Sequence, residues 1–266
     1  MGITVWLPCY GVNTSRKRRA PVTTAIEKPT RREQRRIQTL QEIKALAMEQ
    51  VAAGGPDAVS LSGIVRSMSM SPAAVYRYFD SRDALLGDLV VDAYDEFADF
   101  IAQSSSDDVV PEERLAAVLH AVRIWALDHP NAYRLIFQTS VGSGNEVAPE
   151  RTRSASTRSM STIVAVLAAA GSRSSAAKPS DQVPAEVSDE VPQSPFVDAV
   201  AGWAKRSGLD AYGPAVLALG MTTWTRLHGV ISLELGGHLG ATGLDPSALY
   251  DAEVADIGRA AGRIAT

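Results

Sequence analysis

Apolar and polar positions along this chain repeat with a helical period, in runs separated by Pro, Gly and Ser. Ile37, Leu40, Ile43, Ala47 and Val51 fall on one stripe, which predicts an amphipathic helix. Thr30 with Glu33 spells a capping box at its start, and Gly54-Gly55-Pro56 stops it. Two short helices follow. Ser60 is placed to cap the first, which carries Leu61, Ile64 and Val65 on one face, and Met68-Ser69-Met70 leaves room only for a turn. Ser71 caps the second, with Pro72 at its first position, where a missing N–H costs nothing. This helix is expected to end near Phe79. From Arg82 to about Gln103, Leu85, Leu89, Phe97 and Ile101 share a face, flanked by Leu86, Val90 and Tyr94. A helix this apolar does not stand alone, so it is expected to join a small head to a larger body.

Past a Ser-Asp break at 104–108, Pro111-Glu112-Glu113 opens a helix with acids favourably placed for its dipole. It ends at Asp128-His129-Pro130, and 131–139 continue as a new helix. A loop from Val141 to Pro149 precedes a helix ending near Ala170. Residues 172–195 hold six Ser, four Pro and no Leu, Ile or aromatic residue, which predicts a mobile loop inserted between helices. Helical sequence resumes at Phe196. Ala211 to Leu235 is apolar on nearly every side, so a partner subunit is expected to help cover it; a helix buried wholly within one chain is the alternative. With Pro246 to Ile264 it would form a four-helix contact with its symmetry mate. The fold class is all-α, divided as a tail at 1–30, a head at 31–80 and a body at 81–266.

Composition refines this picture at one point, the charge. The net formal charge is −4, but residues 1–44 carry ten Lys or Arg against three acids, leaving an acidic remainder. A basic front on an acidic body is the electrostatic pattern of a nucleic-acid reader. The tail, interrupted by Pro8, Pro21 and Pro29, reads either as a solvated segment or as an arm that adds DNA contacts. Cys9 is the single cysteine, which excludes an intrachain disulfide. The opening ITVWLPCY has the wrong length and order for a secretory signal. No run reaches the roughly 18 apolar residues of a membrane helix, so a soluble, cytoplasmic protein is expected.

Two short helices around a tight turn, with a third starting behind them, form the wiring of a helix-turn-helix. The second helix is small at its outward N-terminal end (Ser71, Ala73, Ala74) and phenolic or cationic further on (Tyr76, Arg77, Tyr78), which suits an element lying in the major groove. SPAAVYRYFDSRDALL resembles the signature of TetR-type transcriptional repressors. The resemblance implies that Tyr76 and Tyr78 meet the DNA backbone, that Ser71 and Ala73 approach base edges, and that Arg82 holds a phosphate. Ser60, Ala74, Arg77 and Arg32 complete the candidate DNA set. One departure stands out: Ser69 occupies a turn where the family usually has Gly. Trp224-x-x-x-His228-Gly229 and the stretch WALDHPNAYRLIF also resemble the Trp-His-Gly subgroup of TetR regulatory domains.

Candidate chemistry elsewhere is sparse. His120, His129, His228 and His238 lack the spacing of a metal site, and no serine elbow or phosphate loop is present. No catalytic residue, metal or cofactor is expected. A regulatory domain needs a cavity, and Trp125, Tyr133, Phe137, Trp203, Trp224 and His228 are its candidate lining; each also reads as ordinary core. The expected function is a homodimeric regulator, a repressor released from a palindromic double-stranded operator by a hydrophobic small molecule. A ligand-binding or scaffold protein and a non-specific nucleoid binder are the alternatives.

Overall fold

The computed structural model describes residues 30–138, 149–176 and 194–264, and among these it holds eleven α-helices and no strand. By its contacts the chain divides into a unit through Gln38 and a second from Thr39 onward. The described part of the first is the start of α1 (Arg31–Gly54). Its capping box forms as read: Thr30 N donates to Glu33 Oε2 at 2.7 Å, and Glu33 N donates to Thr30 Oγ1 at 3.3 Å. Ile37, counted in the apolar stripe, is exposed together with every residue from 31 to 38.

In the second unit, the rest of α1 is followed by a single 3₁₀ turn (Pro56–Ala58), α2 (Leu61–Ser67), α3 (Pro72–Tyr76) and α4 (Arg82–Gln103). Ile43, Ala47, Leu61, Ile64, Val75 and Phe79 close a small head core, and Leu85, Leu86, Leu89 and Val90 of α4 complete it. Further along the same helix, Ala93, Phe97 and Ile101 enter a second, larger core. That core is built by α5 (Pro111–Asp128), α7 (Pro149–Ala176), α8 (Pro195–Ser207), α9 (Pro214–Leu235) and α11 (Pro246–Ala261). α4 therefore belongs to both bodies, as its unbroken apolar face predicts. Lys44 of α1 lies 3.1 Å from Asp88 and 2.6 Å from Asp92, and Arg151 of α7 reaches Asp88 at 2.7 Å. The linking helix is thus ion-paired on both sides.

Between α5 and α7 lie α6 (Pro130–Tyr133) and one turn of π-helix, Arg134–Gln138. Pro130 ends α5 because it supplies no N–H to the preceding turn. α10 (His238–Thr242) separates α9 from α11. Arg123 of α5 grips Glu234 of α9 with two bonds, 2.8 and 2.6 Å, and lies 5.7 Å over the Tyr250 ring of α11. Tyr250 Oη donates to Leu119 O at 2.6 Å. These contacts fasten three helices at one end of the body.

Several expectations are corrected. α3 ends at Tyr76, earlier than Phe79, and Ser71 occupies its N-cap position without a side-chain cap bond. The Pro72 ring already fixes φ at the first position, so the backbone alone starts this turn. α7 runs past Ala170 to Ala176, so residues 172–176 are helical, and Ser194 caps α8 by accepting from Val197 N at 3.3 Å. The rest of the expected 172–195 loop lies outside the described residues, as does the tail at 1–29. α9 is covered within its own chain on one side, while Leu219, Met221, Trp224 and Leu235 are half-buried and Thr222, Thr225 and Gly229 exposed. Val216, Leu217, Leu227, Val230 and Ile231 are buried within the chain, and Leu233 is its one large apolar residue in the exposed class. Gly220 makes that possible, because a Cβ there would stand 3.0 Å from Val164 Cγ2 of α7.

The turn between α2 and α3 explains the departure at Ser69. Met70 N donates to Val65 O and Ser69 N to Arg66 O, both at 3.2 Å, the paired bonds of a Schellman motif. Such a motif puts its first non-helical residue in the left-handed region, and Ser69 has φ 51°. Restoring glycine is expected to stabilise the protein by up to about 1 kcal/mol, whereas Ser69→Val is expected to cost about 2 kcal/mol. Thermal melts of the two variants check both signs.

Candidate nucleic-acid interface and ring cluster

The head presents α3 outward because Val75 within it and Phe79 just past its end point in. Val75 is fully buried and Phe79 nearly so, which turns Ser71, Pro72, Ala73, Tyr76 and Arg77 to solvent. Tyr76 keeps 47% of its surface exposed. Ala74 is half-buried, and Tyr78 leans on the head core; of the candidates from Ser71 to Tyr78 they are the two turned partly inward. Ser60 caps α2, accepting from Gly63 N at 3.2 Å, while its own N donates to Gln50 Oε1 at 2.7 Å. Arg32 is exposed on α1. The exposed face is small at one end, aromatic and cationic at the other, and carries no acidic residue between Ser71 and Phe79. Such a surface can enter a groove and meet phosphate on its flank.

The second assembly lies in the body, where α5, α6, the π turn and α9 bring five of the six candidate ring residues together. His228 is its hub. Its ring centroid is 3.9 Å from Trp224, 4.2 Å from Phe137 and 5.5 Å from Tyr133, the last in a stacked arrangement. Tyr133 Oη lies 2.8 Å from His228 Nδ1 and 3.2 Å from Ser232 Oγ. Phe97 of α4 extends the cluster, with centroids 4.9 Å from Trp125 and 5.8 Å from Phe137. Trp203, half-buried on α8, packs at the edge of the same core and has no ring contact with these five among the described residues.

Burial sets the protonation states here. The apolar surround pushes the His228 imidazole down to about 3 and the Tyr133 phenol up to about 12. At neutral pH both are uncharged. His228 Nε2 and Trp125 Nε1 are buried with no hydrogen-bond partner among the described residues. The cluster is a neutral, aromatic surface whose polar atoms are not all satisfied.

Known proteins carry the same two parts. Residues 43–89 match the family model for bacterial regulatory proteins of the tetR family, and residues 115–257 match that for the tetracyclin repressor-like C-terminal domain. The HTH-type transcriptional regulators Rv1816 of Mycobacterium tuberculosis (strain H37Rv) and Mb1846 of Mycobacterium bovis are each 30% identical over 226 residues, spanning 84% of this chain and 92% of theirs. The chain belongs to the TetR family. The crystal structure of SCO4313 superimposes on this TetR-family protein with a TM-score of 0.68 at 35% identity, covering 86% of this chain and 98% of that one. A tetR-family bacterial regulatory protein from Rhodococcus RHA1 shares the fold at 16% identity, with a TM-score of 0.53 and coverage of 85% and 97%. The TetR-family protein is thus a DNA-binding transcriptional regulator and not an enzyme. Among its described residues no helix is long and apolar enough to cross a membrane.

Three residues of these two assemblies escape a reading of the sequence. Phe97 shows there only as one more apolar position on α4. Ser232, at Tyr133 Oη, is one serine among many. Asp57, an exposed acid in the 3₁₀ turn, receives Arg82 Nη2 at 3.0 Å. Arg82 also donates from Nε to Val59 O at 3.1 Å and from Nη2 to Pro56 O at 2.7 Å, so its guanidinium is engaged inside the head.

Proposed function

We propose that this regulator is a cytoplasmic repressor that binds a palindromic operator as a homodimer and leaves it when a small hydrophobic molecule occupies the ring cluster. The observation that carries this reading is α4, whose first half completes the head core and whose second half, through Phe97, joins the ring cluster. A molecule that repositions Phe137 or Trp224 acts on Phe97, and through α4 on the head. Ser71, Ala73 and Ala74 take the base side of the interface, Tyr76, Tyr78 and Arg77 the backbone side, with Ser60 at its margin; Arg32, in the first unit, is a further candidate for a DNA contact. The dimer uses α9 and α11, whose outward residues include Thr222, Thr225 and Gly229 on one and Ala248, Ala252 and Ala255 on the other; such small side chains let helices approach closely.

Two α3 helices would then enter successive major grooves about 34–36 Å apart. Effector binding disfavours the bound state by about 1–3 kcal/mol, and operator DNA weakens effector binding by the same factor. Gel-shift of the protein with its own upstream DNA, with and without competitor, tests the reading. Tyr76→Ala is expected to weaken binding to all duplexes alike. Enlarging Ala73 to leucine is expected to change which duplexes are preferred. An unchanged preference removes Ala73 from the base-reading face, and competitor DNA that displaces every duplex equally points to binding without sequence preference.

A further inference from the structure

The TetR resemblance gives Arg82 to a DNA phosphate, but the side chain is committed elsewhere. A guanidinium has five N–H donors in a rigid planar fork. The Nε proton goes to Val59 O, and the two Nη2 protons to Pro56 O and Asp57 Oδ1. What remains is Nη1, and Asp83 Oδ1 stands 3.5 Å from it. The acceptors share one location. Pro56, Asp57 and Val59 form the 3₁₀ turn and the residue after it, directly ahead of Ser60, the N-cap of α2.

We propose that Arg82 is a positioning residue for DNA recognition: it fixes the angle at which α2 leaves this turn, and with it the presentation of α3. The chain of parts is continuous. Arg82 is the first residue of α4, anchored by Ser81, whose Oγ accepts from Ala84 N at 3.1 Å. Its fork holds the carbonyls where α2 begins, and α2 carries α3 through the Schellman turn at Ser69. Apolar contacts hold helices together without fixing their direction. Bonds from one planar group to two carbonyls and a carboxylate do fix it. Through the same bonds, a displacement at the start of α4 is passed to α2.

Lysine separates this role from a phosphate contact, because it keeps the charge and loses the fork. Arg82→Lys and Arg82→Ala are compared with the unaltered protein on two duplexes. One is selected by the unaltered protein from random sequence, and the other is a scrambled duplex of the same length. Titrations span a series of salt concentrations, at a temperature where circular dichroism shows both variants folded. Both substitutions are expected to lower affinity for the selected duplex by about tenfold to a hundredfold. Affinity for the scrambled duplex and its salt slope are expected to stay unchanged, so the ratio of the two affinities falls, which lost stability alone does not produce. Amide exchange at Gly63 and Ile64, at the start of α2, is expected to quicken in the lysine variant. The proposal is overturned if Arg82→Lys retains full affinity for the selected duplex. It is equally overturned if Arg82→Ala weakens both duplexes alike and lowers the salt slope by about one unit, the mark of a phosphate contact.

Discussion

Truncating Leu135 to alanine is expected to destabilise the protein by about 2–5 kcal/mol, although the residue lies more than fifty positions beyond residue 80, the expected end of the head. Leu135 sits in the π turn and is fully buried in the head core. Tyr133 and Phe137 face the other way, into the ring cluster, while Ile136 packs against both cores and its O accepts from Tyr94 Oη at 3.4 Å. One turn of chain therefore holds a plug of the head core and two rings of the ring cluster, about as short a mechanical connection as a helix allows. Leu135 also lines a cleft of about 340 Å³ with Asn131, Arg134 and the end of α1. Removing its side chain enlarges that space, and water reaching it relieves part of the cost, which favours the lower half of the range. Leu135→Met conserves volume and is expected to cost under about 1.5 kcal/mol. Urea denaturation of both variants checks the pair, and a loss below about 1 kcal/mol for the alanine variant would take Leu135 out of the core.

The parts of the fold that could be read in advance are those decided by neighbouring residues. Caps and proline stops are of this kind: Thr30 with Glu33, Pro111 and Pro130 act on their own turn, whatever the tertiary structure does. Ser69 belongs with them, since a two-bond turn of that length demands a positive φ from whichever residue occupies the position. What sequence could not show depends on distant partners. The π turn at 134–138 has the apolar spacing of a plain helix, and its extra residue per turn leaves no mark on the pattern. Arg82 meets backbone carbonyls 23 and 26 positions away, which any residue could have offered. The all-round apolarity of α9 is the same for an internal helix as for an interface helix, and Gly220 against Val164 shows only which side meets α7. The ring residues were legible as aromatic, but not which of them meet. Trp203 and Phe97 look alike on their helices, and only Phe97 joins the cluster.

Acidification is expected to remove about 4 kcal/mol of stability between pH 6.5 and 3 through His228 alone. Burial holds the imidazole down to about 3 in the folded chain, against 6.5 when unfolded. Above pH 6.5 the ring is neutral in both states and its contribution is complete. Below that, the unfolded chain takes up a proton that the folded chain refuses, so stability falls with pH by about 1.4 kcal/mol per unit until the folded ring also titrates. The geometry explains the refusal. A second ring proton puts an N–H on both nitrogens, so that Nδ1 can no longer accept from Tyr133 and the charge has to be carried among the rings. The cation would then sit beside Phe137 and Trp224, with Nε2 lacking a partner among the described residues. Attraction to the two ring faces returns about 0.5–2 kcal/mol, less than the desolvation it opposes. Carboxylates lose their share in a lower window: burial pushes Asp88 up, but bonds from Arg151 and Lys44 outweigh it and hold the group below 3.8. The fall due to His228 therefore begins at pH 6.5, well above the window in which Asp88 titrates. His228→Asn, which keeps a polar atom near Nδ1 and does not titrate, is expected to flatten the stability curve between pH 6.5 and about 4.5 while leaving the steeper fall below pH 4 in place. Urea titrations of the two proteins at stepped pH make the comparison, and equal slopes between pH 6.5 and 4.5 would show that His228 is solvated rather than enclosed by the rings.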